Sequence, residues 1–195
     1  ALFLVVCGMW GWGLWVAAAR LLFWGIGAYN RLVRLRAAVT KAFAALDEQL
    51  VRQLVWIQGG VPESLRDGPP PTPGELTDDV TAAWARLHAA SEQFAVALAQ
   101  ARAQPLDVAV MAALVMAHEA LRTAWAHVLA DAVPADAVPS AERLQARWMR
   151  LLHQSLPLRA AFNDAVQAYN QAIRQFPASL MARLFGFRPA GTVTR

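Results

Sequence analysis

His118-Glu119-Ala120-Leu121-Arg122 opens like the helix of a zinc peptidase, in which two histidines one turn apart share the metal and the glutamate between them activates a water. Arg122 stands where the second histidine is needed, so the motif does not close. His127 follows nine residues after His118, close to the opposite face of a helix, and cannot chelate with it locally. His88 and His153 fall on other predicted helices and could meet His118 or His127 only through the fold. Asp78-Asp79 and Asp47-Glu48 are chain neighbours whose side chains diverge around a helix, and they read as a cap and a polar face. The single Cys7 lies inside an apolar run, where it forms no intrachain disulfide and offers no metal site. No Gly-rich phosphate loop, no Gly-x-Ser-x-Gly and no cysteine nucleophile occurs. The reading is therefore of a protein that is not an enzyme and holds no cofactor or metal. The alternative is a metal-dependent site assembled across helices from scattered His and acidic residues.

The elements around these residues explain the composition. Of 195 residues, 57% are hydrophobic and 16% charged, and the net charge is +4. An apolar anchor and an Ala-rich helical core account for the hydrophobic excess. No Lys/Arg cluster is dense enough, or interleaved with aromatics, to read as a nucleic-acid surface. Residues 1–28 read as a transmembrane anchor. Ala1 to Ala19 is uncharged and spans about 28 Å as a helix, close to the hydrocarbon thickness of about 30 Å. Arg20 belongs at the membrane edge with its stem snorkelling, and Trp24 and Tyr29 in the interfacial zone. Arg31, Arg34, Arg36 and Lys41 follow the run, which by the positive-inside rule puts the rest of the chain in the cytoplasm. The rival reading is a signal peptide cleaved at Ala17-Ala18-Ala19, leaving an exported bundle. Cys7, Gly11, Ala18 and Gly25 form a strip of small residues through which two membrane helices could pair into a homo-oligomer.

No Pro or Gly occurs between Ala28 and Ile57, and Leu32, Leu35, Val39, Phe43, Leu46, Leu50, Leu54 and Ile57 step by 3 or 4. One helix is expected to leave the membrane and found a soluble bundle, stopping at Gly59-Gly60. Pro62, Gly68, Pro69, Pro70, Pro71, Pro73 and Gly74 then make a stiff polyproline connector. A second helix is expected from a Thr77 cap, with Val80, Trp84, Leu87, Phe94 and Leu98 as its stripe. A third starts at Pro105 and carries Val110, Leu114, Ala117, Leu121, Trp125 and Val128; residues 131–139, with Pro134 and Pro139, close it. A fourth starts near Ser140, carries Leu144, Leu151, Leu152, Phe162, Val166, Tyr169 and Ile173, and is kinked or split by Pro157. The fold class is all-α: a transmembrane helix continuous with an up-and-down antiparallel four-helix bundle over 29–190, and a tail over 191–195. That topology sends Trp56, Trp84, Trp125 and Trp148 to the membrane-distal end.

Two stretches resemble a known family. Tyr29-Asn30-Arg31-Leu32-Val33-Arg34-Leu35-Arg36, followed by Leu46-Asp47-Glu48-Gln49-Leu50, is similar to the start of the LemA family. Asn163-Asp164-Ala165-Val166-Gln167-Ala168-Tyr169-Asn170, then Phe176-Pro177 and Leu184-Phe185-Gly186-Phe187-Arg188-Pro189, resembles its C-terminal signature. The likeness covers roughly residues 1–55 and 158–190, the middle agrees only in being helical, and the chain departs from the pattern at Val51 to Trp56. It implies a single-pass bacterial membrane protein with a cytoplasmic four-helix bundle and no established enzymatic activity. With no catalytic motif in the chain, the function expected is that of a scaffold or adaptor for an unknown protein partner at the bacterial inner membrane. Residues 178–188 are too apolar for a free tail. They are expected either to lie on the bilayer, with Phe185 and Phe187 inserted and Arg183 and Arg188 at headgroups, or to seal the base of the bundle.

Overall fold

The structure, a computed structural model, describes residues 2–68, 74, 78–131 and 138–193, with side-chain surroundings given from residue 15 and, in the last long helix, from residue 141. The expectations for Pro69, Pro70, Pro71, Pro73, Thr77 and Pro134, and for the side chains of Cys7, Gly11 and Pro139, lie outside these residues. All regular structure among the described residues is helical.

α1 (Leu2–Gly60) is one unbroken helix of 59 residues, about 88 Å long at 1.5 Å per residue. The glycine pair closes it, as expected. Its outer half buries Leu32, Val39, Phe43, Leu46, Leu50, Leu54 and Ile57, and half-buries Leu35.

The remaining boundaries follow capping chemistry more closely than proline positions. α2 (Glu63–Arg66) is a single turn after Pro62, inside the stretch expected to be a plain connector. α3 (Asp79–Ala103) is capped by Asp78, whose carboxylate accepts from Thr81 N at 3.1 Å and Thr81 Oγ1 at 2.9 Å. The cap is thus one residue later than expected, because Asp78 offers a charged acceptor to a positive helix end. α4 (Val108–Asp131) begins three residues past Pro105. The Asp107 carboxylate accepts from Ala109 N and Val110 N at 2.8 and 3.0 Å, which leaves Pro105 in the preceding turn. α5 (Val138–Arg174) passes through Pro157 as one 37-residue helix. Pro157 is exposed, so its ring meets solvent while packing of the opposite face on α1 holds the helix together.

Side-chain pairs fix the course. Gln53 reaches Leu151 and Phe43 meets Phe162, so α1 and α5 run antiparallel. Asp47 pairs with Arg102 at 2.8 Å and, further along, Gln58 donates to Glu92 at 3.3 Å, which makes α1 and α3 antiparallel, and α3 turns back into α4. α3 and α4 pack closely, and both bury small side chains that let backbones approach, Ala83, Ala90, Ala97 and Ala101 on α3 and Ala117 and Ala124 on α4. α4 has the length and composition of a membrane span. Its Met111, Leu114, Leu121 and Val128 are instead buried in the bundle, so it is a core helix. Trp56, Trp125 and Trp148 gather at one end, with ring centroids 5.0 to 6.1 Å apart. Trp84 is half-buried against the core without joining their ring contacts, and Val80 and Leu144, expected in stripes, are exposed.

Residues 178–193 are built into the fold, including the first three of the expected tail. α6 (Ala178–Phe185) packs on α1 and ends at Gly186, whose φ of +69° is the left-handed value that glycine adopts without strain. The chain then runs back along α5 as an extended strap. Asn170 accepts from Ala190 N at 2.8 Å and donates to Ala190 O at 2.9 Å; Asn163 does the same with Val193, at 2.8 and 2.9 Å. Ala190 and Val193 are buried, and a Cβ on Gly191 would come within 2.8 Å of Val108 Cα, so the strap lies between α5 and the start of α4. Gly191→Ala should destabilise the fold by about 1 to 3 kcal/mol through backbone overpacking. Replacing both Asn163 and Asn170 by Ala should strip hydrogen-exchange protection from the Ala190 and Val193 amides while α1 stays protected. Unchanged exchange at those two amides would show that the clamps do not hold the strap.

Candidate functional site

Two constellations stand out, one at the base of the bundle and one inside it. The base collects most residues of the two family-like stretches. Tyr29 packs on Phe185 and Phe187 with centroids 4.9 and 6.0 Å away, and Phe176 meets Trp24 edge-on at 5.0 Å. The Tyr169 hydroxyl donates to Arg188 O at 3.0 Å. Burial pushes that hydroxyl above its ordinary pKa, with nearby Arg36 opposing. Arg36, Tyr169, Phe187 and Arg188 line a cleft of about 580 Å³ that Asp107 also borders. Leu32 and Leu50 are core residues, Pro177 precedes α6, and Asn30, Val33, Arg20, Arg183 and Arg188 are exposed. Asp47, with its partner Arg102, lies away from this cluster on the α3 side.

The second constellation is a line of buried polar side chains across three helices. Gln49 and Gln53, one turn apart on α1, both donate through Nε2 to Leu151 O, at 3.3 and 3.1 Å, and Gln49 also donates to Gln154 Oε1 at 3.0 Å. With its amide nitrogen so committed, Gln53 presents Oε1 to His118 Nε2 at 2.8 Å. His118 must therefore carry its proton on Nε2, and its Nδ1 lone pair accepts from Arg159 at 2.8 Å. His118 is only 4% exposed and Gln53 fully buried. Burial, followed by the facing Arg159 and then Arg122, lowers the His118 pKa from 6.5 to about 3. Burial also lowers that of Arg159, with Arg122 adding to the effect and Glu119 opposing it.

Both ring nitrogens of His118 are thus engaged. It has no lone pair left for a metal or a substrate proton. His118 and His153 border one small cleft of about 200 Å³, but Arg122 and Arg159 border it too, a lining that repels a metal cation. His88 borders a separate cleft with Arg66 and Glu92, and His127 faces Asp131 at 3.9 Å on the outer side of α4. Among the described residues no three of His, Cys, Asp or Glu gather as metal ligands. Of this layer, the sequence singles out only His118 as a candidate for chemistry; Gln49 enters only through the family-like stretch, and Gln53 and Arg159 do not stand out. Two glutamines one turn apart, set among Leu46, Leu50, Leu54 and Ile57, were the available signal of a polar layer inside the core.

Fold and site define a helical bundle whose core carries one polar layer and whose C-terminal strap is clamped by asparagines. The sequence matches the LemA family profile over residues 75–194, and the chain belongs to the LemA family. The match includes the middle helices, where the sequence suggested no likeness beyond helicity, and it leaves out residues 29–50, where a likeness was read. Comparison with curated proteins and with solved structures gives no match for the chain.

The buried histidine sets a pH dependence. The folded state resists protonation until about pH 3, whereas the unfolded chain takes the proton near pH 6.5, so acid draws the equilibrium toward unfolding across that window. The loss begins below pH 6.5, reaches about 2 kcal/mol by pH 5, and stops growing below pH 3. Thermal melts of wild type and His118→Gln between pH 7 and 5 check this: the wild-type melting temperature should fall more steeply. Parallel curves would refute the link to His118.

Proposed function

We propose that this LemA-family protein is a single-pass protein of the bacterial inner membrane whose bundle stands on the cytoplasmic side and works as a scaffold or adaptor for a protein partner, without a reaction of its own. One observation carries the membrane part. α1 extends past the bundle as bare apolar helix, with Trp15 80% and Phe23 82% exposed and Val16, Leu21, Leu22 and Ile26 also uncovered. Such a surface needs a cover, and hydrocarbon supplies it without breaking the helix. Arg20 fits the snorkelling position, and Arg31, Arg34 and Arg36 support the cytoplasmic orientation. The closed bonding of His118 supports the non-catalytic reading. Pairing of anchors along Cys7, Gly11, Ala18 and Gly25 belongs to the same proposal.

Full-length protein in its native membranes should resist extraction by salt and by alkaline carbonate and leave only with detergent. Recovery in the alkaline supernatant, or of a soluble product beginning near Arg20, would favour the exported form. On a Cys7→Ser background, a cysteine at exposed Val96 should react with an impermeant maleimide in inverted vesicles but not in intact cells; the reverse pattern would overturn the orientation. Stoichiometric metal in the purified chain would overturn the non-catalytic part.

A further inference from the structure

We infer that α6 is an interfacial helix lying in the headgroup layer of the leaflet from which α1 emerges, and that the surface it binds is anionic lipid. This rests on the membrane reading of α1 and adds a second point of attachment. α6 divides cleanly: Ala178 and Ala182 are buried, while Leu180, Leu184 and Phe185 are exposed, Leu184 by 69%, and so is Phe176 just before it. The small face lies on α1, where Met181 Sδ fills the space beside Gly25, 3.8 Å from where a Cβ would stand. The exposed apolar row is therefore not a helix that failed to find its bundle. Its bundle-facing side is already satisfied.

The level on α1 decides what covers that row. Phe176 meets Trp24, Met181 meets Gly25 and Phe185 meets Tyr29. On α1, Trp24 to Tyr29 lies about 6 to 14 Å beyond Arg20. With Arg20 at the hydrocarbon edge, α6 falls within the headgroup layer, from which apolar side chains dip about 5 to 10 Å toward the acyl boundary. Leu21, Leu22, Phe23 and Ile26 of α1, at and just below this level, are exposed as well, so a cover at this level serves both. Charge selects the lipid. Residues 1–46 and 165–195 contain no Asp or Glu, yet they carry Arg20, Arg31, Arg34, Arg36, Arg183 and Arg188. Among the described residues Arg183 and Arg188 make no ion pair, and both are exposed. An apolar row flanked by unpaired guanidinium groups fits phosphate headgroups above acyl chains.

The test uses the full chain, Cys7→Ser, with single cysteines at Leu21, Leu184 or Val96 carrying a nitroxide. The protein is reconstituted in vesicles of phosphatidylcholine with phosphatidylglycerol, three to one, and collision with oxygen and with a polar nickel chelate is measured. The oxygen-to-nickel ratio should be severalfold higher at 184 and at 21 than at 96. In pure phosphatidylcholine the ratio at 184 should drop toward that at 96 while the ratio at 21 holds. A high ratio at 21 with a water-like ratio at 184 would overturn the inference and leave the anchor standing; a water-like ratio at 21 would overturn the anchor itself. Shielding of 184 from both reagents would mean that protein, such as a second copy, covers α6, and would also overturn it. Equal ratios at 184 in the two lipids would remove the requirement for anionic lipid. Leu184 is exposed, so the labelled variant keeps its core.

Discussion

A 59-residue helix with an apolar stripe on one half and apolar residues all round on the other cannot be covered by a single partner, and the rest of the structure answers to that constraint. The outer half finds α5, α3 and the side chains of α4, and the stripe from Leu32 to Ile57 becomes the spine of the core. The inner half meets α6 and the flanking Phe176 and Phe187 at Trp24 to Tyr29, and from Trp15 to Phe23 its side chains stand exposed. Helical continuity between the halves means that whatever orients the inner half also orients the bundle. No Pro or Gly from Ala28 to Ile57 offers a hinge.

The bundle's second constraint is rotational. Helices as rich in Ala and Leu as these can slide or turn against one another at little cost, since one small apolar contact resembles the next. The polar layer removes that freedom. It lies between the Phe43–Phe162 contact and the cluster of Trp56, Trp125 and Trp148, and it joins α1, α4 and α5 in one directional chain of donors and acceptors. Buried donors and acceptors cost about 1 to 3 kcal/mol each when left unmade, so a rotation that spares the apolar contacts still breaks this layer. A neutral His118 suits the role, because it donates at one edge and accepts at the other, and its burial, followed by the facing Arg159 guanidinium, keeps it neutral.

Periodicity made the helices, their order and the core stripe legible, because a spacing of 3 or 4 over 25 residues has no competing explanation. Boundaries were less legible where two signals competed. Pro105 and Thr77 looked like helix starts, yet the carboxylates of Asp107 and Asp78 hold the free N–H groups. Pro157 looked like a break, yet an exposed proline on a helix packed along its other face does not make one. The base was legible through Tyr29, Phe185 and Phe187, whose family-like motifs converge there. The polar layer was not, because partners 65 and 41 residues apart in Gln53, His118 and Arg159 leave no local pattern. The strap was missed for a related reason: its partners are backbone groups, and backbone has no sequence.

That last distinction separates what the two constellations tolerate. Asn163 and Asn170 read the peptide groups of Ala190 and Val193, so most side chains on the strap can change while the clamps persist. The exceptions are Gly186, fixed by its φ of +69°, Gly191, pressed against α4, and the packed side chains of Phe187, Ala190 and Val193. Gln53, His118 and Arg159 read one another's side chains, so a change at one strands the next. The family match over residues 75–194 contains both asparagines, the strap through Val193, His118 and Arg159, but it stops short of α1, which supplies Gln53 to the layer and Tyr29 to the base. The core of this chain is therefore completed by residues outside the matched region. Since α1 is also the helix that leaves the bundle, the same element that closes the polar layer carries any tilt or rotation of its protruding half directly into it.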